Sequence, residues 1–395
     1  MTGPIVIIGA GIGGLAAAIA LARIGHSVLV LERMAEITEV GAGLQLSPNA
    51  CHCLEHLGLL DTVKSVAFAP ASIRIRSARN GKDLNRIALG ETIARQHGAP
   101  YLLVHRADLQ RALYAKALSM EGVALRFGVN FKDTVSDQRG DLTVNCQAAD
   151  GSGLSFPAAA LIGADGVWSK VRETIPNHET ARFSGRTAYR ATLPAAQIDA
   201  DLLTDTHIWL GSNAHLIHYP IKNHSEFNIV AVVSEDWNEE TWSAAASREQ
   251  LLQRFSKWSP SAKRILEQPK NWLKWALCGV PAAGPWVSGK TALLGDAAHA
   301  MLPFAAQGAA MAIEDGLELA AAITPQTNDM AASLKTYEQN RVQRVIKVQR
   351  TAEKNGQIYH MQGPLALGRD TVLKLSSQQS LAARTDWIYS WKPPA

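Results

Sequence analysis

The order of apolar and polar residues predicts three elements within the first 32 positions. An apolar run at 4–8 predicts a short buried strand, and an alanine-rich run at 15–24 predicts a helix. Gly25 ends that helix, and residues 27–32 (SVLVLE) predict a second strand. The chain is therefore predicted to begin with a βαβ unit.

Further along, the pattern predicts a mixed α/β protein with one segment rich in antiparallel strands. Alternating apolar residues between 182 and 234, as in FNIVAVV at 227–233, are typical of strands with one buried face. Other strands are predicted at 142–146, 158–163 and 291–294, and helices at 106–119, 239–268, 306–323 and 332–355. The strand-rich part is interpreted as a domain inserted into a discontinuous α/β domain.

Composition favours a soluble globular protein over a fibrous, membrane or nucleic-acid-binding one. Of the 395 residues, 47% are hydrophobic and 19% charged, and the formal charge of +4 comes from scattered Lys and Arg. Residues 4–22 carry no charge, but glycines interrupt this run, so we interpret it as the βα unit and not as a membrane span or signal peptide. Four cysteines are too few for a disulfide framework, which favours a cytoplasmic setting.

Residues 9–14 (GAGIGG) match the G-x-G-x-x-G fingerprint between a strand and a helix. The first glycine, Gly9, permits a tight turn, and the second, Gly11, lets a pyrophosphate approach the backbone. The third, Gly14, lets the helix pack closely on the sheet. Glu32 ends the next strand, where a carboxylate can bind ribose hydroxyls. The fingerprint therefore predicts a bound dinucleotide.

Two further turns each place an aspartate at the end of a predicted strand. These are GADG at 163–166 and GDAAH at 295–299. Asp165 and Asp296 could accept hydrogen bonds from sugar or ribityl hydroxyls, since their small neighbours allow a ligand to come close.

The three motifs occur in the order and spacing of the single-component FAD-dependent aromatic hydroxylases, and the chain resembles that family over nearly its whole length. The resemblance is to the branch that holds salicylate, 3-hydroxybenzoate and 6-hydroxynicotinate hydroxylases. It implies a Rossmann-like FAD-binding domain of the p-hydroxybenzoate hydroxylase type, an inserted β-sheet substrate domain and a helical C-terminal end. The implied bounds are 1–71, 98–176 and 277–360 for the FAD-binding domain, 72–97 and 177–276 for the substrate domain, and 361–395 for the C-terminal segment.

The resemblance also implies the reaction. Bound FAD, reduced by NADH or NADPH, would react with O2 to a C4a-hydroperoxyflavin that hydroxylates a phenolic aromatic acid, as in aromatic hydrocarbon catabolism. The sequence carries one dinucleotide fingerprint, so the nicotinamide would bind transiently near residues 165–166, and the preference between NADH and NADPH stays open. The implied partners are small molecules, with no nucleic acid and no membrane, and the protein would be a monomer or homodimer.

Residues that match the family motifs take their roles from the resemblance. The resemblance implies that Gly11, Gly13 and Gly14 lie at the FAD pyrophosphate, with Gly9 in the same turn, and that Glu32 and Arg33 lie at the adenosine ribose. Arg106 would reach the phosphate and ribityl region, Asp296 would hold the ribityl chain, and Val129, in a strand-like 126–129 segment, would bind adenine through its backbone. The other residues implied to bind cofactor are Asp165, Gln45 at the flavin or substrate, and Gly308 and Ala309 at the pyrimidine ring. A helix that begins at Gly308 would stabilise negative charge on reduced flavin.

The segment HLIHYP at 215–220 matches the H-x-x-x-Y-P segment of this branch, in which the histidine and tyrosine approach the substrate hydroxyl. Because side chains alternate along a strand, His215 and Tyr219 share one face and His218 lies on the other. His215 is therefore predicted to accept the phenolic proton, and Tyr219 to relay it or to orient the hydroxyl.

Two glutamines are also candidates for the pocket. Gln45, within GAGLQLSPN at 41–49, stands where the 6-hydroxynicotinate enzymes carry a histidine. An amide cannot act as a base, which favours hydroxybenzoates as substrates. Gln307 is predicted to orient a phenol hydroxyl, with helix capping as the alternative.

No metal site is predicted. Cys51 and Cys53 lie on a predicted helix at 49–59, where they point roughly 200° apart and cannot share one tetrahedral ion. Two functional alternatives remain open: a related flavin oxygenase that acts on hydroxynicotinate, a purine or an alkene, and a flavin-binding regulatory protein without turnover. Regiochemistry, and whether decarboxylation accompanies hydroxylation, are likewise open.

Overall fold

A computed structural model describes residues 3–37, 43–237, 239, 241–324 and 326–394. The strands are β1 (Ile5–Ile8), β2 (Val28–Glu32), β3 (Gly43–Leu46), β4 (Ser72–Ser77), β5 (Asp83–Ala88), β6 (Leu102–His105), β7 (Val123–Phe127), β8 (Val129–Ser136), β9 (Leu142–Ala148), β10 (Gly153–Ala158), β11 (Ala160–Gly163), β12 (Arg182–Pro194), β13 (Thr206–Leu210), β14 (Ala214–Ile221), β15 (Glu226–Ser234), β16 (Ser243–Ala246), β17 (Trp272–Gly279), β18 (Val287–Ser288) and β19 (Thr291–Leu293). The α-helices are α1 (Ile12–Arg23), α2 (Pro48–His56), α3 (Leu60–Val66), α4 (Gly90–His97), α5 (Arg106–Leu118), α6 (Arg248–Arg254), α7 (Pro260–Glu267), α8 (Asp296–His299), α9 (Gly308–Ala322), α10 (Met330–Tyr359), α11 (Gly363–Leu375), α12 (Gln378–Ala382) and α13 (Asp386–Tyr389).

The first sheet has the strand order β18-β19-β11-β1-β2-β7, in which β19, β11, β1, β2 and β7 run parallel. Every side chain of β1 and β11 is buried, which is typical of a parallel sheet covered on both faces. The β1-α1-β2 unit predicted from the sequence is confirmed. An antiparallel sheet β10-β9-β8 and the pair β3-β6 lie outside this first sheet.

A large, mostly antiparallel sheet has the order β16-β17-β12-β15-β14-β13-β4-β5. Its strands β4 and β5 come from early in the chain, and β4 joins the sheet by parallel pairing with β13. The remaining strands lie between residues 182 and 279. The α/β class with an inserted β-sheet part is thus confirmed, and the domain bounds themselves stay a prediction.

Two local predictions were wrong. The segment 239–268 is not one helix, because β16 pairs along the edge of β17 and two short helices follow. The side chains of Ser247 and Ser259 cap these helices, and Pro260 occupies the first position of α7. The strand-like segment 126–129 is broken at Gly128, which has φ of +68° and separates β7 from β8.

No helix in the described part of the chain combines the length and the apolar character needed to cross a membrane.

A fully buried arginine joins the last long helices. The Arg341 guanidinium on α10 donates to Glu314 at 2.8 Å and to Asp315 at 2.7 Å, and both carboxylates lie on α9. Burial alone would raise the pKa of Asp315, but His299 and Arg341 together lower it to about 2. Because this folded pKa lies below the ordinary value of 3.8, the carboxylate stabilises the fold above about pH 4, and that contribution is lost as the pH falls toward 2.

Replacing Arg341 tests how much this ion-pair cluster contributes. We expect Arg341→Met to lower the free energy of unfolding by about 3–5 kcal/mol, because the buried carboxylate of Asp315 would lose its guanidinium and that of Glu314 would keep only Arg344. Urea unfolding followed by circular dichroism measures the change. The control is Arg350→Met, at an exposed position of the same helix, which should change stability by less than about 0.5 kcal/mol. Equal midpoints for the two variants would contradict the expectation.

Candidate active site

A cavity of about 280 Å³ lies between the glycine-rich turn and the large sheet. One wall is formed by the predicted cofactor motifs, through Gly11, Gly13, Arg106, Gly166, Asp296, Gly308 and Ala309. The opposite wall comes from β12, β14 and β15, through Arg190, His215, Ile217, Tyr219, Val230 and Val232. Motifs that are far apart in sequence therefore meet at one cavity.

Glycines leave open space on the first wall. A Cβ atom added at Gly11 or Gly308 would meet no atom within 4 Å, so a ligand can approach the backbone there. Gly9 has φ of +107°, and a Cβ at this position would lie 2.5 Å from the carbonyl oxygen of Ala164. The turn therefore requires glycine at position 9 and provides a cradle at position 11.

The other two glycines of the turn serve packing. A Cβ at Gly14 would lie 2.1 Å from the carbonyl oxygen of Gly9, and Gly14 does not line the cavity. Its predicted place at the pyrophosphate is therefore corrected to close contact between helix and strand. Gly13 does line the cavity, and its Cβ would also press on Leu294 at 2.7 Å.

The predicted adenosine end is held by backbone groups. The Glu32 carboxylate accepts hydrogen bonds from the N–H of Ala10 at 2.8 Å and of Met34 at 3.0 Å, which fixes it beside the glycine turn. Arg33 is exposed next to it. Val129 begins β8 one residue after Gly128, whose N–H donates to the carbonyl of Met34 at 2.9 Å. These residues are adjacent, and their contacts with adenosine stay predictions.

Arg106 and Asp296 present exposed charges on the cofactor wall. Arg106 is the first residue of α5, and Asp296 is the first residue of α8. Among the described residues, nothing hydrogen-bonds or ion-pairs with the Asp296 carboxylate, so it is available to a ribityl or sugar hydroxyl.

Asp165 differs from this expectation. Its carboxylate accepts hydrogen bonds from Ser169 Oγ at 2.5 Å and from the N–H groups of Lys170 at 2.7 Å and Val171 at 3.2 Å. The Asp165 carboxylate thus holds together the turn at residues 165–171. Its predicted role in binding sugar hydroxyls is corrected to this structural one. The motif reaches the cavity through Gly166 instead.

The first turn of α9 faces the cavity through Gly308 and Ala309. Ala306 precedes it with φ of +52°, which turns the chain sharply into the helix. The first N–H groups of a helix have no partner within it and carry partial positive charge. This end of α9 can therefore stabilise an electron-rich ring system.

Gln307 does not line the cavity. Its Nε2 donates to Ser47 Oγ at 2.8 Å, and its Oε1 accepts from Asn49 Nδ2 at 3.0 Å. Both polar atoms of the Gln307 amide are hydrogen-bonded within this buried network. The predicted role in orienting a phenol is therefore corrected to a structural role at the start of α9.

Tyr219 lies on the substrate wall with its hydroxyl donating to the carbonyl of Gly43 at 2.9 Å. A Cβ at Gly43 would lie 2.5 Å from the tyrosine ring, so glycine is needed for this contact. Burial raises the pKa of Tyr219 to about 12, which keeps it protonated at neutral pH. Tyr219 is therefore suited to orient a hydroxyl and not to accept its proton.

Gln45 also lines the cavity, and its Oε1 accepts a hydrogen bond from the hydroxyl of Tyr101. The side chain of Gln45 also hydrogen-bonds Tyr219, and one N–H of its Nε2 group remains to donate. Residues 41 and 42 of the same sequence motif lie outside the described residues.

His215 lines the cavity and is 1% exposed. Its Nδ1 lies 2.7 Å from Nε2 of His360, while its Nε2 has no partner among the described residues. Burial, together with His360 and Arg186, lowers the pKa of His215 well below its ordinary range, so the ring is neutral at pH 7. His218 lies on the other face of β14, where it accepts from Trp209 Nε1 at 2.8 Å.

Arg190 was missed by the sequence analysis. It lines the cavity from β12, its Nε is buried without a hydrogen bond, and its guanidinium lies 4.4 Å from the ring centroid of Trp275. Burial lowers the pKa of Arg190 to about 10, so it is still a cation at neutral pH. No carboxylate pairs with it within the described ranges. The strand carries three arginines, Arg182, Arg186 and Arg190, and nothing in its local pattern marks the one that lines the cavity.

Cys51 and Cys53 are buried free thiols on α2. Burial raises the pKa of Cys51 to about 12, and it also raises the pKa of Cys53. Nε2 of His299 hydrogen-bonds the carboxylate of Asp315 at 2.6 Å. In the described part of the chain, no group of three or more His, Cys, Asp or Glu could hold a metal ion.

Comparison with known proteins identifies the family. Residues 2–352 match the family described as FAD binding domain. The chain belongs to that family. It is 34% identical over 394 residues to a 3-hydroxybenzoate 6-hydroxylase of Polaromonas naphthalenivorans (strain CJ2), with 98% of this chain and 96% of the relative covered.

Two solved structures are similar over the whole fold. A salicylate hydroxylase in a substrate complex has a TM-score of 0.82 and 26% identity, with 99% of this chain and 96% of that chain covered. Klebsiella pneumoniae HpxO, complexed with FAD and uric acid, has a TM-score of 0.83 and 25% identity, with 98% and 96% covered.

The protein is a FAD-dependent monooxygenase of the aromatic hydroxylase class. The cavity fits the cofactor, because Gly11 and Gly308 leave backbone exposed for phosphate and flavin, and Asp296 offers a carboxylate without a partner among the described residues. The fold, the cofactor and the reaction type predicted from the sequence are confirmed.

Filling the cradle at Gly11 should remove the cofactor. We expect Gly11→Val to fold but to purify colourless, because its side chain would occupy open space that the pyrophosphate needs. The flavin-to-protein absorbance ratio measures this. The control is Gly153→Val, at an exposed glycine whose Cβ would also meet nothing within 4 Å, and it should stay yellow. A yellow Gly11→Val protein would show that the cofactor lies elsewhere.

Asp296→Ala should weaken FAD binding without abolishing it. Loss of a hydrogen bond to a charged acceptor costs about 1.5–3 kcal/mol, which corresponds to roughly a ten- to hundredfold higher Kd. Titration of the apoprotein with FAD, followed by flavin fluorescence, gives the affinity. A Kd equal to that of the wild type would remove Asp296 from the cofactor site.

Proposed function

We propose that the enzyme hydroxylates a phenolic aromatic acid of the salicylate or hydroxybenzoate class, with NADH or NADPH as the reductant and O2 as the oxidant. The observation that carries this proposal is Arg190, a half-buried cation whose Nε is buried without a hydrogen bond, on the cavity wall that also holds His215 and Tyr219. A partly desolvated charge without a counterion is costly, and an anionic substrate would supply the missing partner.

The guanidinium of Arg190 suits a carboxylate because its planar fork can donate two parallel hydrogen bonds. Ile217, Val230 and Val232 provide apolar surface for an aromatic ring on the same wall. A ligand that is anionic at one end and apolar in the middle matches this arrangement.

Polar groups on the same wall match a ring hydroxyl. The Nε2 atom of His215 is without a partner among the described residues and can accept a proton. The Nε2 group of Gln45 can donate to the oxygen of a ring hydroxyl, and the Tyr219 oxygen, whose own proton is donated to Gly43, can accept from that hydroxyl. A flavin-binding regulatory protein has no need for such groups to converge on the cofactor. When bound, FAD would supply the reductive activation of O2, and the residues of the first wall would hold the cofactor.

The relatives support the aromatic acid. The 3-hydroxybenzoate 6-hydroxylase and the salicylate hydroxylase are named for hydroxybenzoates, while HpxO is complexed with uric acid. The planar guanidinium of Arg190 matches a carboxylate, a group that hydroxybenzoates carry and uric acid lacks. We also propose a cytoplasmic enzyme, supported by the buried free thiols of Cys51, Cys53 and Cys146, and the choice between monomer and homodimer stays a prediction.

The test is substrate-stimulated reduction of the flavin. Purified holoenzyme is mixed with NADH or NADPH and one of salicylate, 3-hydroxybenzoate, 6-hydroxynicotinate or uric acid, and bleaching of the flavin band is followed. We expect a hydroxybenzoate to give the fastest bleaching together with hydroxylated product. Fastest bleaching with uric acid would select the purine alternative, and no bleaching with any reductant would select the regulatory protein.

Arg190→Met should reduce affinity only for the anionic ligand. Loss of hydrogen bonds to a carboxylate costs about 1.5–3 kcal/mol, so the Kd of the best hydroxybenzoate should rise roughly ten- to hundredfold. The Kd of its methyl ester should hardly change. Perturbation of the flavin spectrum on titration measures both. The control is Arg182→Met, at an exposed position of the same strand. Equal losses for acid and ester would contradict a carboxylate at Arg190.

A further inference from the structure

Two buried histidines join the substrate wall to the protein surface. Nδ1 of His215 lies 2.7 Å from Nε2 of His360, the residue that follows α10. Nδ1 of His360 lies 3.4 Å from Oγ of Ser234, and Ser234 is exposed at the end of β15. The atoms His215 Nε2, His215 Nδ1, His360 Nε2, His360 Nδ1 and Ser234 Oγ thus form one continuous path from the cavity to solvent.

The surroundings of this path disfavour positive charge. The charged groups that face the two rings are Arg186 on β12 and Arg369 on α11, which itself pairs with Asp370. The titratable ring of Tyr359 and the ring of Phe304 contact His215 edge-on, with centroids 5.4 Å away in both cases.

Both imidazoles are consequently neutral at pH 7. Burial first, and then the two arginines, lower the pKa of His360 to about 4. The pKa of His215 is also lowered, by burial, His360 and Arg186. If His215 acted alone as a base, it would become an imidazolium that is buried close to a guanidinium, and burying an uncompensated charge is expensive.

We propose that His215 and His360 form a two-histidine relay that carries the phenolic proton of the substrate to solvent at Ser234. The inference rests on the proposed function, because it requires a hydroxyl-bearing substrate in the cavity. His360 contacts His215 and not the cavity, so it is a positioning residue that acts through His215.

The relay moves the phenolic proton without leaving a positive charge on either imidazole. The substrate O–H bond breaks and its proton joins Nε2 of His215, while the proton on Nδ1 of His215 passes to Nε2 of His360. The proton on Nδ1 of His360 passes to Oγ of Ser234, and the hydroxyl proton of Ser234 passes to water. Both rings end neutral in the opposite tautomer, and the phenolate remains near Arg190.

His360→Gln separates proton transfer from structure. A glutamine at this position can accept the hydrogen bond from Nδ1–H of His215, but its amide does not pass a proton on. The path affects how fast the bound phenol ionises, and it does not set the final extent of ionisation. Rate and amplitude therefore report separately on the relay and on the integrity of the site.

The experiment is a stopped-flow pH jump on the holoenzyme with bound 3-hydroxy-4-nitrobenzoate, without NADH, in which absorbance reports phenolate formation. We expect His360→Gln and His215→Gln to slow phenolate appearance about 100-fold, the lower end of the usual contribution of a positioned acid or base. FAD content, ligand Kd and final amplitude should stay those of the wild type in His360→Gln. The control is His56→Gln, on the exposed end of α2.

The outcomes distinguish the relay from the proposed function. A wild-type rate in His360→Gln would overturn the relay while leaving hydroxylation of a phenolic acid intact. A wild-type enzyme that neither ionises nor hydroxylates any phenolic acid would overturn the proposed function itself. His360→Asn is measured in parallel, so that the test stands if the glutamine variant fails to bind FAD, and unchanged phenolate appearance in it would equally overturn the relay.

Discussion

A single buried guanidinium connects the two loops on which the cofactor wall depends. Arg341 binds Glu314 and Asp315, and each of these carboxylates reaches a different part of the site. Asp315 also accepts hydrogen bonds from the N–H of Gly295 at 2.8 Å and from His299 at 2.6 Å, which fixes the turn before Asp296. The position of Asp296 on the cavity wall is thus set by charged groups that do not themselves line the cavity.

The second carboxylate organises the other loop. Glu314 accepts from Nδ2 of Asn49 at 2.7 Å, and Asn49 in turn binds Gln307 at 3.0 Å. Gln307 immediately precedes α9, so this chain of contacts holds the helix N-terminus against the cavity. Because buried polar groups must all be satisfied, loss of one member leaves its neighbours unpaired. The interior network therefore orients the wall, while Nε2 of His215 and Nε of Arg190 on the wall are without a hydrogen-bond partner among the described residues.

Features of the fold and site could be predicted from the sequence where the residues that determine them lie close together along the chain. The glycine turn, β1, α1 and β2 depend on residues within 30 positions, and local periodicity was enough to predict them. Asp165 and Gln307 were chosen as ligand-binding residues because of their motifs, but their side chains are consumed by Ser169 and by Ser47 and Asn49. A motif identifies a turn that meets the ligand, and it does not reveal which side chain of that turn is already hydrogen-bonded.

The residues that were missed share a different cause. Arg190 and His360 gain their roles from sheet pairing and from the end of a 30-residue helix, contacts that no local pattern encodes. Alternation did place His215 and Tyr219 on one face of β14, as the cavity shows. It could not show that the Tyr219 hydroxyl donates its hydrogen bond to the carbonyl of Gly43, or that His215 hydrogen-bonds a second histidine.

The electrostatics of the substrate wall then follow from its burial. Arg190 retains its charge because a guanidinium resists deprotonation even when desolvated, whereas the imidazoles nearby lose theirs. The wall thus combines a permanent cation with neutral proton acceptors, and within the ranges the structure describes no carboxylate lines it. An anionic ligand is attracted by the cation, and a second negative charge created on that ligand by ionisation is favoured by the same field. The positive field on this wall therefore makes a lone histidine a poor base, and the same field stabilises a phenolate. The phenolic proton must then leave without converting an imidazole of the wall into a cation.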